Sequence, residues 1–204
     1  MASQVAHIIY ARKYLKKHPL PNGDADLFML GCIFPDIRRI DESIKRKDTH
    51  LCFNNCDLDF SGLSPFKAGW KFHLYCDMRR EEVLNHYKFY DINGTGDFWH
   101  QPAKLLEDEI LYDEYQNWEK LVGYFNNVPM IDAGINVEPG SIHLWYAIIA
   151  KYLEKKPGNK EMRIFLSKQP SWVPKMDEIM KTVDKLRENE KVIEILKKVA
   201  EEII

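Results

Sequence analysis

Apolar residues return every three or four positions along most of this 204-residue chain, and no stretch alternates cleanly between apolar and polar side chains. A chain patterned in this way buries its apolar stripes by packing helix against helix, so the expected class is all-α. Ser3 is placed to cap a first helix running to about Lys17, with Val5, Ile8, Ile9 and Leu15 turned inward. A second helix should begin near Asp24 and stop before Pro35, because proline disfavours helical geometry in the residue ahead of it. From Asp36 to about Ser64 the chain is polar and interrupted, which predicts a long ordered loop. The clearest central helix spans Pro65 or Phe66 to about Tyr87, and turn-forming residues follow from Asp91 to Asp97. Pro102 suits a first helical turn, and a helical repeat then passes through Leu106, Ile110, Trp118, Leu121 and Phe125. Another helix follows Gly140-Ser141 and reaches Leu153. From Pro174 to Ile204, Met176, Ile179, Met180, Val183, Leu186, Ile193 and Leu196 share one face, which predicts a peripheral amphipathic helix or helix pair, broken near Asn189. The expectation is one domain over residues 1–204, a multi-helix bundle with a C-terminal helical arm over 174–204.

Charge narrows the partners. Lysine plus arginine (29) nearly cancels aspartate plus glutamate (31), so no global field would gather nucleic acid, and any phosphate recognition has to be local. The longest apolar runs, Leu27 to Phe34 and Leu144 to Ala150, fall far short of the roughly 20 residues that span a bilayer. The N-terminus places its apolar residues before the basic cluster Arg12, Lys13, Lys16 and Lys17, the reverse of a secretory signal, so the expected location is cytoplasmic. Cys32, Cys52, Cys56 and Cys76 form no CxxC pair and read as free or buried thiols, with Cys52 and Cys56 the candidates for redox or metal chemistry.

Chemistry collects around the histidines. In His73-Leu74-Tyr75-Cys76-Asp77 the four-residue step puts His73 and Asp77 on one helical face, where one ion can bind both or the two can simply pair with each other. Gly69, one turn earlier, removes a side chain where a neighbouring helix or a metal cluster needs room. Gly31-Cys32-Ile33-Phe34-Pro35-Asp36 ends an apolar helix on a carboxylate, which must be a cap or a ligand because burial without a partner is costly. Asp48-Thr49-His50 brings a histidine to the end of the polar loop, and His7 on the first helix is a ligand or a satisfied core histidine.

The ordered set of His7, then Gly31, Pro35 and Asp36, then Thr49 and His50, then Gly69, His73 and Asp77, resembles the zinc-dependent phospholipase C family, whose superfamily includes single-strand-specific nucleases. The resemblance covers roughly residues 1 to 90. It implies an all-α, phospholipase C-like fold and a metal-dependent phosphoesterase that hydrolyses a phosphate ester with zinc-activated water. It implies that Asp36, His50, His73 and Asp77 hold one zinc and that Asp77 bridges to a second zinc taking His7. An N-terminal amine joins the second ion in secreted members; here methionine removal before Ala2 would expose one five residues ahead of His7. The family's third zinc takes a later histidine and a His-x3-carboxylate helix. His86 is rotated away from His73 by its spacing, and His143 has Ala147 where the carboxylate should stand. His100, Asp97, Glu138 and Glu107 stay open as substitutes, and the expected site is reduced to one or two zinc ions or other divalent metals.

In this reading Asp36 orients or deprotonates the attacking water, Arg38, Arg39 or Arg80 meets the ester oxygens, and Trp70, Trp99 and Trp145 line a wall or pack in the core. The substrate would be small and phosphorylated: a lipid headgroup, a nucleotide or a metabolite. Two rivals stand beside it. One is a catalytically reduced metal-binding or scaffold protein on the same fold. The other is an HD-type nucleotide phosphohydrolase, disfavoured because none of the seven histidines precedes an aspartate.

Overall fold

A computed structural model describes residues 3–204, and among them the chain forms ten α-helices and no strand. Helices α1 (Gln4–Lys17), α2 (Asn22–Ile33) and α4 (Pro65–His86) build the first half, with the single-turn α3 (Arg46–His50) between α2 and α4. The second half adds α5 (Asp97–Leu111), α6 (Trp118–Asn126), α7 (Pro139–Leu153), α8 (Asn159–Ser167), α9 (Met176–Arg187) and α10 (Glu190–Glu202). One contiguous apolar core runs from Val5 to Ile203 and includes the fully buried Trp70 and Trp145. No helix among the described residues is long and apolar enough to cross a membrane.

The tightest packing is between α2 and α4, and two glycines permit it. A Cβ on Gly31 would stand 2.0 Å from the Phe66 carbonyl oxygen, and a Cβ on Gly69 would stand 2.0 Å from that of Phe28. Each helix therefore presses its backbone into the gap left by the other's missing side chain. Two carbonyls at the end of α2 also take side-chain donors from α7. Tyr146 Oη donates to Leu30 at 2.8 Å, and Trp145 Nε1 donates to Ile33 at 3.0 Å.

Several local expectations need correction. Ser3 occupies the cap position of α1 without a capping bond from its side chain; Asp108 on α5 accepts from the Ala6 amide at 3.0 Å instead. The segment after Asp36 is not one long loop, because residues 34–39 form a 3-10 helix and Thr49 and His50 lie on α3. The repeat read from Pro102 to Phe125 divides into α5 and α6, since Tyr115 is extended and Trp118 Nε1 donates back to the Tyr112 carbonyl at 3.0 Å. Helix α8 occupies a stretch that carried no separate reading. The C-terminal pair breaks at Asn189, whose side chain caps α10 by accepting from the Lys191 and Val192 amides. It is not peripheral, however: α9 lies along α5 and α10 touches both α4 and α5. The apolar faces of α9 and α10 need a partner, and α5 supplies one.

At the start of α5, Phe98, Trp99 and His100 have φ of 48°, 52° and 65°, so the regular helix begins after three left-handed residues, with Pro102 in its first turn. Such conformations are unfavourable for residues with a Cβ and persist where surrounding contacts hold them. Lys104 Nζ donates to the Trp99 carbonyl across that turn at 3.0 Å.

Candidate metal centre

His7 comes from α1, Asp36 from the 3-10 turn closing α2, His50 from α3, and His73 and Asp77 from α4. These five side chains converge. The imidazole Nε2 atoms of His7, His73 and His50 stand 3.3, 3.5 and 4.0 Å from the Asp77 carboxylate oxygens. His7 stacks on His73 with centroids 3.8 Å apart, and His50 meets His73 edge-on at 5.4 Å. His7, Asp36 and His73 are wholly buried, whereas the Asp77 side chain keeps 11% of its surface exposed.

The α2–α4 contact decides which nitrogen of His73 faces the cluster. Its Nδ1 lies 2.8 Å from the Cys32 carbonyl oxygen, which can only accept, so Nδ1 carries the proton and Nε2 presents a lone pair. His50 is oriented similarly: Nδ1 pairs with the Thr49 hydroxyl at 2.8 Å, while Trp70 Nε1 donates to the Thr49 carbonyl at 2.7 Å and anchors the short helix. Asp36 accepts from Gln4 Nε2 at 2.9 Å and pairs with Arg39 Nε at the same distance. Burial alone would raise its pKa, but Arg39 first and then His73, His50 and Arg38 hold the carboxyl well below the usual range. Asp77 is likewise held low against burial, with His73 and His7 among the causes.

The Nε2 atoms of His7, His50 and His73 are buried and make no hydrogen bond. Burial pushes His7 down to about 4 and His50 down to about 3, with His73 as the next cause in each case. His7 and His50 are therefore neutral near pH 7, and the three Nε2 atoms face carboxylate oxygens at 3.3–4.0 Å, an arrangement that a cation relieves. Among the described residues, two groups of ligand atoms are close enough to hold an ion: His7, His73 and Asp77, and Asp36, His50 and His73. Because Nδ1 of His73 is committed to Cys32, only one ion can take His73. A second ion would have to rely on Asp77 and His7. The residues fit a divalent metal in number and type.

The remaining candidates divide. His86, His143, Asp97 and Glu138 are exposed, and His100 is half-buried against Tyr90. Glu107 is fully buried but engaged, accepting from Arg80 Nε at 2.7 Å and from the Tyr10 hydroxyl. Cys52 and Cys56 are free, as are the buried Cys32 and Cys76. Trp70 and Trp145 are core residues, whereas Trp99 is 72% exposed. The expected amine at Ala2 lies outside the described residues. Gln4, Lys104 and Asp108 carried no signal in the sequence, since each reads as an ordinary polar position on an amphipathic helix. A surface groove of about 540 Å³, lined among others by Ile9, Arg12, Met29 and Tyr124, contains none of the five converging residues.

Comparison with known proteins adds no neighbour: no family model, curated protein or solved structure matches this chain.

Proposed function

We propose that the chain is a divalent-metal-dependent phosphoesterase, with zinc the first metal to test, and that its likeness to the zinc-dependent phospholipase C family reflects shared chemistry. The observation that carries this reading is the meeting of three imidazole Nε2 atoms and a carboxylate in one buried cluster, with Nδ1 of His73 already spent on a carbonyl. As the resemblance implies, Asp36, His50, His73 and Asp77 would hold one ion, and Asp77 and His7 a second; the ligand atoms of Asp36, His50 and His73 lie close enough together for the first. When bound, such ions act as Lewis acids and lower the pKa of water toward neutrality.

The chain's own groups do the rest. Asp77, which the three imidazole Nε2 atoms face at 3.3–4.0 Å, would offset part of the charge of bound ions. Asp36, ionised and clamped by Arg39 and Gln4, accepts a hydrogen bond from water and orients it; its low proton affinity suits orientation better than proton storage. Arg39 is fixed beside Asp36 and also reaches Gln101 at 3.3 Å, so its guanidinium would be the group to meet an ester oxygen of a substrate held at the cluster.

Hydrolysis of nitrophenyl phosphate esters with and without added zinc tests the proposal. Wild-type turnover should depend on metal and fall at least about 100-fold in His73→Ala. Equal rates for the two proteins would overturn the enzyme reading. Elemental analysis after metal supplementation should find one or two divalent ions per chain, and less than about one tenth of an ion would argue against the site.

A further inference from the structure

Beside the cluster, three basic side chains from different elements are drawn into the interior. Arg80 is fully buried, Lys104 is 2% exposed, and the Arg39 side chain is 8% exposed. Their partners are unequal. Arg39 is matched by Asp36, and Arg80 spends Nε on Glu107. The two terminal nitrogens of Arg80 are buried and make no hydrogen bond. Lys104 has a carbonyl, that of Trp99, as its hydrogen-bond acceptor at 3.0 Å. Arg80 and Lys104 together keep about six N–H donors to spend. On α5, Lys104 stands one turn from Gln101, which Arg39 reaches at 3.3 Å, and one turn from Glu107, which Arg80 reaches at 2.7 Å, so all three basic side chains meet the same stretch of helix, with Arg39 tying it to Asp36 of the candidate metal centre. Burial, then Arg39 and Arg80, pushes its pKa down to about 7.

Unspent cationic donors in an interior are costly unless an anion meets them. Metal ions in the neighbouring cluster would add to the positive charge. We propose that Lys104 and Arg80 form a buried subsite for a tetrahedral dianion, so that the substrate is a phosphomonoester, bound by its terminal phosphate, and not a diester. A monoester phosphate brings two charges and three terminal oxygens to these donors, whereas a diester brings one charge and two. The inference rests on the phosphoesterase reading for its meaning, but its test requires no turnover.

The full-length chain is titrated with inorganic phosphate, methyl phosphate and dimethyl phosphate at matched ionic strength, with zinc and with chelator, and binding is read calorimetrically and as a shift in Tm. Phosphate and methyl phosphate should bind, and dimethyl phosphate at least about tenfold more weakly. Lys104→Met should weaken phosphate binding at least about tenfold in both arms while leaving zinc stoichiometry unchanged, and should raise the ligand-free Tm because a buried charge is removed. Arg80→Lys keeps a charge opposite Glu107, removes the terminal fork, and should weaken phosphate binding as well. The proposal is overturned if dimethyl phosphate binds as tightly as methyl phosphate, or if Lys104→Met binds phosphate like the wild type. Absence of any Tm shift in the wild type at about 10 mM phosphate overturns it too, whatever the variants do. Phosphate binding without ester hydrolysis would instead sink the enzyme reading and leave the subsite standing.

Discussion

His73 serves two neighbours with one ring. Its Nδ1 holds the Cys32 carbonyl while Nε2 faces Asp77 at 3.5 Å, so His73→Asn would keep the first contact and remove the second. That variant should retain most of the stability and lose metal binding, checked by Tm alongside zinc titration. His7 and His50 make the metal-free protein sensitive to acid. Their folded pKa values, about 4 and about 3, lie below the ordinary 6.5, so the unfolded chain binds more protons within that window. Stability is therefore fullest above pH 6.5 and falls as the pH drops toward 4. For His7 alone the loss is on the order of 3 kcal/mol. Denaturant midpoints from pH 7.5 to 4.5 should show this fall, and His7→Phe should flatten it. Both histidines were visible as candidates in the sequence, but their spacing could not say whether they turned toward solvent or toward each other.

Among the elements, the α2–α4 pair is held by geometry that one methyl group breaks. Gly31→Ala places a carbon 2.0 Å from the Phe66 carbonyl oxygen, a backbone atom that cannot swing aside. The helices must separate, at about 3 kcal/mol or more, and the Cys32–His73 bond lengthens with them. Thermal unfolding of Gly31→Ala should begin well below that of the wild type, and any folded fraction should bind zinc weakly. Gly69 was legible as a residue making room; that a helix and not a metal fills the room needed the partner's position. The first turn of α1 shows a similar limit, for Ser3 matched a capping pattern while the bond is made by Asp108. Burial pushes Asp108 up to about 7, so the folded state binds the extra proton between pH 3.8 and 7, and its contribution to stability declines as pH rises through that window. Asp108→Asn keeps an acceptor for the Ala6 amide and should exceed the wild type in stability by about 2–4 kcal/mol at pH 8, a margin that closes near pH 4.

Over the whole molecule, the C-terminal pair closes the bundle. Ile179, Met180, Val183, Leu186, Val192, Leu196, Val199 and Ile203 are each at most 2% exposed, and α5, which they cover, carries Lys104, Glu107 and Asp108. Removing residues 176–204 should therefore expose the outer face of α5 and cost cooperative unfolding, seen as dye binding and loss of near-ultraviolet dichroism; a truncated chain that melts like the parent would contradict this packing. The helical class, most helix positions and the break at Asn189 were legible before any coordinates, because period and capping chemistry act within one turn of the chain. The identity of the five converging residues was legible too, as separate motifs. Their meeting was implied by the family resemblance alone, since no local period brings them together. Contacts such as Ala6 with Asp108, Tyr10 with Glu107 and Arg39 with Gln101 join residues that no local period relates, and burial turned Lys104 from an ordinary surface lysine into a buried cation. Local pattern determined what each helix is and which side it must hide. Only packing decided which carbonyl orients His73, which carboxylate caps α1 and which cations stand behind the cluster, because those depend on distances between helices that no single helix encodes.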